Sequence, residues 1–307
     1  MIAGRPITVS FEITYNCNAR CEHCDLGDYV KEPRLGPEVF ADWLVRLRPA
    51  VAQISGGEPL LRKDIVDIIR AMRQRDPVAV FVLTTNVQNL TMDKYHQLRE
   101  AGLDQYSLSL DYPDERHNTF RHLKGNFEKI ADLVPKMASL GHHDLVLACV
   151  VQANNFRDLP ALVTLARDWG AAINFSTYNA LRTGKTEMLI TGEEQLKELT
   201  AIVDRLAAMQ REGYPILTSE WTMRRMIDFF RTGGAPDCQA GKRFMIVNPW
   251  GKLTPCGMCR DHYNDPRQLV EAFTVKNRCT GCYTAIRANS EKSPYRLMVD
   301  ALRAARN

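Results

Sequence analysis

Three cysteines near the amino terminus, Cys17, Cys21 and Cys24, offer three soft sulfur ligands within one short loop at C-x3-C-x2-C spacing. A 4Fe-4S cluster normally takes four cysteine thiolates, so three of them leave one iron open to another ligand. Zinc would instead need a fourth protein donor close by, and His23 is the nearest one. The spacing therefore indicates a metal site at this loop.

The stretch around these cysteines resembles the radical S-adenosylmethionine (SAM) enzymes. In that superfamily the residue before the last cysteine is usually aromatic and packs on SAM, and His23 occupies this position. The run Ser55-Gly56-Gly57-Glu58-Pro59 is similar to the second motif of the superfamily. The resemblance covers residues 5 to 180.

The resemblance implies that Cys17, Cys21 and Cys24 hold a 4Fe-4S cluster whose open iron chelates SAM. One electron then splits the sulfonium into methionine and a 5'-deoxyadenosyl radical, which abstracts hydrogen from an unactivated carbon of the substrate. The cofactors carry this chemistry, and the protein supplies positioning and the exclusion of water. The resemblance also implies an electron donor such as flavodoxin or ferredoxin.

The glycine pair is expected to contact SAM. By the resemblance, Gly56 and Gly57 let a strand edge approach the methionine without a Cβ in the way, and Glu58 accepts from the methionine ammonium. The alternative interpretation is a simple Gly-Gly turn.

Two further polar residues are predicted to face the ribose. Asn86 ends the third predicted strand and Ser109 ends the fourth, where relatives direct polar groups toward the sugar. The superfamily usually has Asn-Gly at the first of these positions, whereas this chain has Asn86-Val87. The alternative is that these side chains cap a neighbouring helix or turn.

A second group of cysteines lies near the carboxyl terminus. Its members are Cys238, Cys256, Cys259, Cys279 and Cys282. The last four have the C-x2-C-x19-C-x2-C spacing of a zinc ribbon, a closed structural site, which leaves Cys238 unexplained. Alternatively, Cys238, Gly251 and Cys256 resemble the C-x(9 to 15)-G-x4-C opening of the SPASM and twitch domains found behind radical SAM barrels. That resemblance implies the shorter twitch form, with one auxiliary 4Fe-4S cluster on Cys238, Cys256, Cys279 and Cys282.

Cys259 is the spare thiol in the cluster interpretation. Three residues from Cys256, it can be no more than roughly 10 Å of chain away. Three roles remain open: a replacement ligand, a packed thiol, or a hydrogen-atom donor that faces the substrate. Some radical SAM epimerases use such a donor cysteine.

Short apolar runs alternate with helical patterns from residue 7 to residue 212, which is typical of parallel strands joined by crossover helices. The six predicted strands span residues 7–14, 51–55, 78–84, 105–110, 144–151 and 173–178. Two helices have distinctive residues. A capping box at Thr191 and Glu194 predicts one helix start, and Pro135 should kink or shorten another helix over 126–140.

Six strand-helix pairs fall short of the eight of a closed (β/α)8 barrel. By the resemblance we expect an α/β fold with a partial (β/α)6 TIM-like barrel over residues 1–215, followed over 216–307 by a small twitch-type cluster domain with a carboxyl-terminal helix. Chemistry in parallel barrels sits at the carboxyl ends of the strands. The three-cysteine loop follows the first strand and the glycine pair follows the second, so both should lie at one rim.

Composition narrows the possible partners. The net charge of +4 comes from 40 basic and 36 acidic residues spread along the chain, without a basic tract, which argues against nucleic acid. No long apolar stretch suggests a signal peptide or membrane span, so we expect a cytoplasmic protein with no membrane partner. Nine cysteines in such a compartment favour metal or redox chemistry over disulfides.

The fate of the substrate radical would decide the reaction. Electron loss to the auxiliary cluster gives a dehydrogenation, as in twitch-containing enzymes that act on aminocyclitols. Return of a hydrogen atom by Cys259 gives an epimerisation, as in enzymes that act on aminoglycoside-type sugars. Modification of a ribosomal peptide is an alternative, but the first strand begins at residue 7 and leaves no space for a leader-binding domain, so a small molecule is favoured. The non-enzymatic alternative is a metal-binding module with a zinc ribbon.

Overall fold

The structure is a computed structural model that describes residues 5–293 and 295. The chain divides into two compact units. Of the described residues, unit one comprises 5–108, 121–123 and 239–277, and unit two comprises 109–120, 124–238, 278–293 and 295. The last part of the carboxyl-terminal domain predicted over 216–307 lies outside the described residues, and the boundary at residue 215 stays a prediction.

Unit one is built on a sheet with the strand order β4-β3-β2-β1-β7-β8. All paired neighbours run parallel except β7 and β8, which form an antiparallel hairpin. The strands are β1 (Thr8–Thr14), β2 (Val51–Gly56), β3 (Val80–Thr85), β4 (Gln105–Ser109, whose last residue falls in unit two), β7 (Phe244–Val247) and β8 (Leu253–Thr254). The helices are α1 (Pro37–Leu47), α2 (Ile65–Arg75), α3 (Met92–Glu100) and α9 (Pro266–Ala272).

Unit two contains a second parallel pair of strands with most of the remaining helices. Its strands β5 (Leu145–Val151) and β6 (Ala172–Thr177) pair in register from Val146 opposite Ala172 to Val151 opposite Thr177. The helices are α4 (Arg116–Arg121, whose last residue falls in unit one), α5 (Asn126–Ala138), α6 (Leu159–Asp168), α7 (Glu193–Arg211), α8 (Glu220–Thr232) and α10 (Ala285–Glu291).

Strands β1 and β2 each have one apolar face and one largely polar face, because side chains alternate along a strand. On β1, Val9, Phe11 and Ile13 are fully buried. The opposite face carries hydroxyl, amide and carboxylate groups. We call it the polar strand face, and its members are Ser10, Glu12, Gln53, Ser55 and Thr84. Burying the apolar side stabilises the sheet.

The predicted α/β alternation is confirmed, since each of the six predicted strands is present within two residues of its expected ends. The predicted capping box is wrong. Gly192 is the N-cap of α7, and Thr191 instead donates its N–H to the Gln195 side chain at 3.0 Å. Pro135 lies inside α5 without ending it, because the helix continues to Ala138.

The carboxyl-terminal part of unit one contains a strand that the alternation pattern did not indicate. The hairpin around Asn248-Pro-Trp-Gly251 forms, and its first strand, β7, also pairs with β1. Trp43 of α1 donates through Nε1 to the Gly251 carbonyl at 3.1 Å. None of the described helices is both long enough and apolar enough to cross a lipid bilayer.

Candidate cluster and cofactor site

Each sulfur atom of the three-cysteine loop accepts a hydrogen bond from an N–H group. The Ala19 N–H donates to the Cys17 sulfur at 3.4 Å, and the Leu26 N–H donates to the Cys24 sulfur at 3.5 Å. Arg121 donates through Nη1 to the Cys21 sulfur at 3.8 Å. Hydrogen bonds to sulfur stabilise thiolates and tune iron–sulfur clusters. This donor set fits a bound cluster.

Arg121 contributes a positive charge to the environment of the cysteine loop. Burial raises the pKa of the Cys17 thiol, and the neighbouring Glu58 and Cys24 add to that rise, while the Arg121 guanidinium opposes it. Among residues 5–293 and 295, no three histidine, cysteine or acidic side chains already converge to hold a metal ion. The fit therefore rests on the chemistry of the donors.

Glu32 and Asn16 form hydrogen bonds at the start of the cysteine loop. Glu32 accepts from the Tyr15 N–H at 2.7 Å and from the Asn16 amide at 3.0 Å. Asn16 also exchanges two hydrogen bonds with the main chain of Val30, at 2.9 and 3.1 Å. These contacts fix the point where β1 ends and the cysteine loop begins.

The Gly56-Gly57 pair lies directly against the beginning of the cysteine loop. Gly57 donates to the Thr14 carbonyl at 2.7 Å, and Glu58 donates to the Asn16 carbonyl at 2.9 Å. A Cβ on Gly56 would stand 2.1 Å from the Thr14 oxygen, where φ is +126°, and one on Gly57 would stand 2.2 Å from the Asn16 oxygen. Glycine is therefore required by the close approach of two protein backbones at this rim.

Glu58 is buried, with both carboxylate oxygens engaged by protein donors. Oε1 accepts from the Leu60 N–H at 3.0 Å and from the Thr85 hydroxyl at 2.8 Å, and Oε2 accepts from the Asn86 N–H at 2.8 Å. Burial raises the pKa of the Glu58 carboxyl, and these donors partly offset the rise. Glu58 thus fixes the end of β3 to the end of β2.

Asn86 connects this corner to the cysteine loop. Its side-chain amide donates to the Asn18 side-chain oxygen at 2.7 Å, and its own oxygen accepts from the Gln88 N–H at 3.0 Å. The Asn86 side-chain oxygen therefore caps a turn, which is the alternative role considered for this residue. Val87, where relatives have glycine, has φ of 71°. This left-handed conformation is strained for a β-branched residue, so the backbone keeps the turn that glycine favours.

The other two candidate residues lie at different places. His23 lies within the cysteine loop, next to the turn in which the Cys24 N–H donates to the Cys21 carbonyl at 3.0 Å. Ser109 is buried at the end of β4 and belongs to unit two.

The Cys256 to Cys259 turn belongs to unit one and contacts the cysteine loop through its neighbours. Arg260 forms an ion pair with Asp25, the residue after Cys24. The Cys259 thiol donates to the Asp261 carboxylate at 3.5 Å.

The remaining cysteines of the second group lie in unit two. Cys282 is buried, Cys238 is partly exposed and Cys279 is exposed. Burial raises the pKa of Cys282, Arg287 opposes the rise, and the charge of Cys238 adds to it, so these three groups are neighbours. The main chain around Cys282 docks on β6, where Thr177 donates to the Tyr283 carbonyl at 2.6 Å.

The polar strand face is internally hydrogen-bonded across three strands. The hydroxyls of Ser10 and Ser55 lie 2.6 Å apart, and the Gln53 amide donates to the Thr84 hydroxyl at 2.8 Å. Gln53, Ser55 and Thr84 keep part of their surface exposed. These side chains present fixed hydrogen-bonding groups on the same strands whose carboxyl ends carry the loop and the glycine pair.

Sequence reasoning missed three residues of this site, namely Arg121, Asn18 and Glu32. Each acts across a long separation in the chain, as in the 100 residues between Arg121 and Cys21. Asn18, between two of the cysteines, had the one local signal that could have indicated it. A lone arginine at a helix end or a lone glutamate in a loop is usually solvated.

Comparison with known proteins decides the family. The profile of the Radical SAM superfamily matches residues 11–166, just over half of the 307 residues. The chain belongs to the Radical SAM superfamily. Members of this superfamily use SAM and a 4Fe-4S cluster, so the resemblance found in the sequence is confirmed and this protein is a radical SAM enzyme.

Individual relatives of this radical SAM enzyme differ in their chemistry. It is 25% identical to the AdoMet-dependent heme synthase of Methanosarcina barkeri over 83% of this chain and 78% of that protein. It is 25% identical to the mycofactocin maturase MftC of Mycolicibacterium smegmatis over 82% of this chain and 64% of that protein.

Solved structures confirm the partial (β/α)6 TIM-like barrel expected for a radical SAM enzyme. Streptococcus suis SuiB bound to S-adenosylmethionine matches with a TM-score of 0.68 and 15% identity. The match covers 86% of this chain, and the chain spans 64% of SuiB. The chain thus spans less than two thirds of the length of MftC and of SuiB, at 64% of each.

Proposed function

We propose that this radical SAM enzyme holds its SAM-cleaving cluster on Cys17, Cys21 and Cys24 and abstracts hydrogen from an unactivated carbon of a polar substrate. The observation that carries the proposal is the pair of main-chain hydrogen bonds that joins Gly57 to Thr14 and Glu58 to Asn16. Because of these bonds, the two sequence motifs lie against each other at one rim. When bound, the cluster and SAM would supply the 5'-deoxyadenosyl radical.

The protein's part in this proposal is to hold SAM in place. Gly56, Gly57 and Glu58 would receive the methionine end of SAM. A carboxylate has about four acceptor positions, and protein donors use three of those on Glu58. The fourth remains for the ammonium.

The other SAM contacts belong to the nucleoside end. Asn86 is held by Glu58 and Asn18, and with Ser109 it would bind the ribose. His23 would pack on SAM from within the cysteine loop.

An auxiliary 4Fe-4S cluster on Cys238, Cys256, Cys279 and Cys282 completes the proposal. Support comes from Cys238, which a zinc ribbon on the last four cysteines would leave unused. It lies near enough to Cys282 for its charge to act on that thiol. Anaerobic reconstitution should give about eight irons per chain, whereas zinc retained by the carboxyl-terminal cysteines would contradict this cluster.

The polar strand face supports a substrate rich in hydrogen-bonding groups, such as a sugar or an aminocyclitol. Gln53 and Thr84 are fixed to each other at 2.8 Å and remain partly exposed, so they can bind hydroxyl or amine groups with little loss of side-chain freedom. Two outcomes fit this substrate class. One is dehydrogenation, in which the substrate radical would lose a proton and pass one electron to the auxiliary cluster. The other is epimerisation, in which Cys259 would give a hydrogen atom to the substrate radical, and one electron from the external donor with one proton would restore the thiol.

Cys259 has one feature that supports the donor role. Its sulfur lies 3.5 Å from the Asp261 carboxylate, which accepts a hydrogen bond from the S–H group. A metal ligand would instead be a thiolate.

A second candidate function is the modification of a ribosomal peptide. It is favoured by 25% identity to the maturase MftC and by the fold shared with SuiB, which has also been solved bound to the precursor peptide SuiA. A peptide backbone would also use a polar strand face.

A substrate screen separates these candidates. Anaerobic enzyme with dithionite and SAM is offered sugars, aminocyclitols and synthetic peptides, and 5'-deoxyadenosine is measured in each reaction. We expect one polar class to accelerate SAM cleavage and to pass substrate deuterium into 5'-deoxyadenosine. Gln53→Leu should lower that acceleration by tenfold or more and leave substrate-free cleavage unchanged. SAM cleavage that never occurs would overturn the proposal.

A further inference from the structure

Arg287 of α10 has a fully buried guanidinium in unit two. Burying a charge is costly unless it is paired and hydrogen-bonded. An arginine that served only its ion pair with Glu291, four residues later on the same helix, could do so at the surface. Its burial therefore calls for a structural reason.

The guanidinium is saturated by acceptors from three separate segments. Nη1 donates to the Cys282 carbonyl at 2.8 Å, and Nη2 donates to the Ala235 and Pro236 carbonyls at 2.5 and 2.7 Å. Nε donates to Glu291 at 2.6 Å. Since the guanidinium is a rigid planar fork, it fixes these three segments relative to one another.

Two of these segments carry proposed cluster ligands. Pro236 is two residues before Cys238, and Cys282 is itself a ligand candidate. The Ala235 N–H also donates to the Thr280 carbonyl at 2.8 Å, next to Cys279. The turn that precedes Cys238 is thus attached at two points to the segment 279–282.

The charge of Arg287 also lies close to one of the sulfurs. Nη1 lies 4.0 Å from the Cys282 sulfur. A buried cation at this distance from a proposed cluster ligand would compensate the negative charge of a cluster where water is excluded.

We propose that Arg287 is a positioning residue for the auxiliary cluster, which joins the Cys238 turn to Cys282 and offsets the thiolate charge. The inference rests on the proposed function of the carboxyl-terminal cysteines. A neighbouring cation stabilises the more negative, reduced state of a cluster, so Arg287 should raise the reduction potential of the cluster.

The test isolates the auxiliary cluster. A parent protein in which Cys17, Cys21 and Cys24 are all replaced by Ala keeps only the carboxyl-terminal cysteine group for iron. After anaerobic reconstitution, iron and sulfide per chain, the electron paramagnetic resonance (EPR) spectrum and the midpoint potential are compared for the parent and for Arg287→Met and Arg287→Lys in it. The parent should bind about four irons.

Arg287→Met should lose at least half of that iron, and any remaining cluster should have a more negative potential than in the parent. Arg287→Lys keeps the charge but not the fork, so its potential should stay near the parent value although less iron binds. Arg62→Met is the matched control. Arg62 is also buried and donates to the carbonyls of Ile13 and Leu35, but it lies in unit one.

Three results overturn the inference. If Arg287→Met keeps the iron and the potential of the parent, Arg287 has no role at the cluster. If Arg287→Met does not fold, Arg287→Lys decides alone. Iron binding equal to that of the parent would contradict the joining of the Cys238 turn to Cys282, and a clearly more negative potential despite the retained charge would contradict the charge effect. A parent that binds zinc and no four-iron cluster shows instead that the proposed function of these cysteines is wrong, and the inference fails with it.

Discussion

The amide nitrogen of Gly57 lies 2.7 Å from the carbonyl oxygen of Thr14, which places the second motif of this radical SAM enzyme against the start of its cysteine loop. Thr14 and Gly57 are 43 residues apart in the chain, and parallel pairing of β1 with β2 brings the carboxyl ends of these strands together. The geometry of the site therefore depends on a few backbone contacts at this rim, and substitutions there have defined consequences.

Adding a side chain at Gly57 should disrupt the rim. A Cβ at this position would stand 2.2 Å from the Asn16 carbonyl oxygen, a backbone atom that cannot rotate away. We expect Gly57→Ser to lower the free energy of unfolding by about 1–3 kcal/mol and to reduce the iron bound by the loop. Gly36→Ser is the matched control, because nothing lies within 4 Å of its added Cβ. Equal stabilities in chemical denaturation would contradict the steric argument.

Replacing Glu58 by Gln should uncouple the ends of β2 and β3. The amide oxygen can accept only part of the three hydrogen bonds that the carboxylate receives, so a buried donor is left unsatisfied. We expect a loss of about 1–3 kcal/mol in the unfolding free energy of the apoprotein, together with weaker SAM binding by the reconstituted enzyme.

The same pair of proteins tests the raised pKa of Glu58. A carboxyl whose pKa is higher in the folded than in the unfolded state stabilises the fold most below its ordinary value of 4.5, and this contribution is lost as the pH rises through the folded pKa. Urea titrations of the apoprotein give the free energy of unfolding at each pH. The difference in this free energy between the wild type and Glu58→Gln should shrink as the pH rises above 4.5. An advantage that grows with pH would show that the pKa is lowered instead.

Removing the Arg121 side chain should raise the pKa of the Cys17 thiol further. Its guanidinium opposes the rise that burial causes in the pKa of Cys17. In the metal-free protein at pH 8, we expect Cys17 in Arg121→Met to react with iodoacetamide several-fold more slowly than in the wild type, as measured by peptide mass spectrometry. Arg121→Lys, which keeps the charge, should lie in between. Identical rates in all three proteins would show that the Arg121 charge does not affect the Cys17 thiol.

Cys259 should prove to be a spare thiol and not an iron ligand. Its S–H group donates to Asp261. We expect Cys259→Ser to keep the iron content and the substrate-free SAM cleavage of the wild type, whereas Cys256→Ser loses the auxiliary cluster. Once a substrate is known, an epimerase reaction would stop in Cys259→Ser, and solvent deuterium would enter the product of the wild type. Iron loss in Cys259→Ser would instead make it a ligand.

Local patterns predicted much of this fold. The apolar runs located six strands, because such a run is a property of neighbouring residues. The capping box failed because Gly192, directly before α7, takes the N-cap position that Thr191 was expected to fill. The pairing of β7 with β1 was not predictable, since four apolar residues do not specify a partner strand.

The candidate site divides in the same way. Spacing identified the three cysteines, and the resemblance to the superfamily identified the glycine pair. The contacts that organise them come from Arg121 and Glu32, whose residue types are usually solvated and give no local signal. The hydrogen bond from Asn86 to Asn18 likewise depends on how β3 lies beside the loop. Such contacts become visible only when the strands are assembled.

The most direct test of the central claim is the EPR spectrum of the dithionite-reduced, anaerobically reconstituted enzyme with and without SAM. We expect a reduced 4Fe-4S signal that changes when SAM is added, followed by formation of 5'-deoxyadenosine. Both effects should disappear when Cys17, Cys21 and Cys24 are replaced by Ala. A spectrum that SAM leaves unchanged, or SAM cleavage that persists without these three cysteines, would contradict the account.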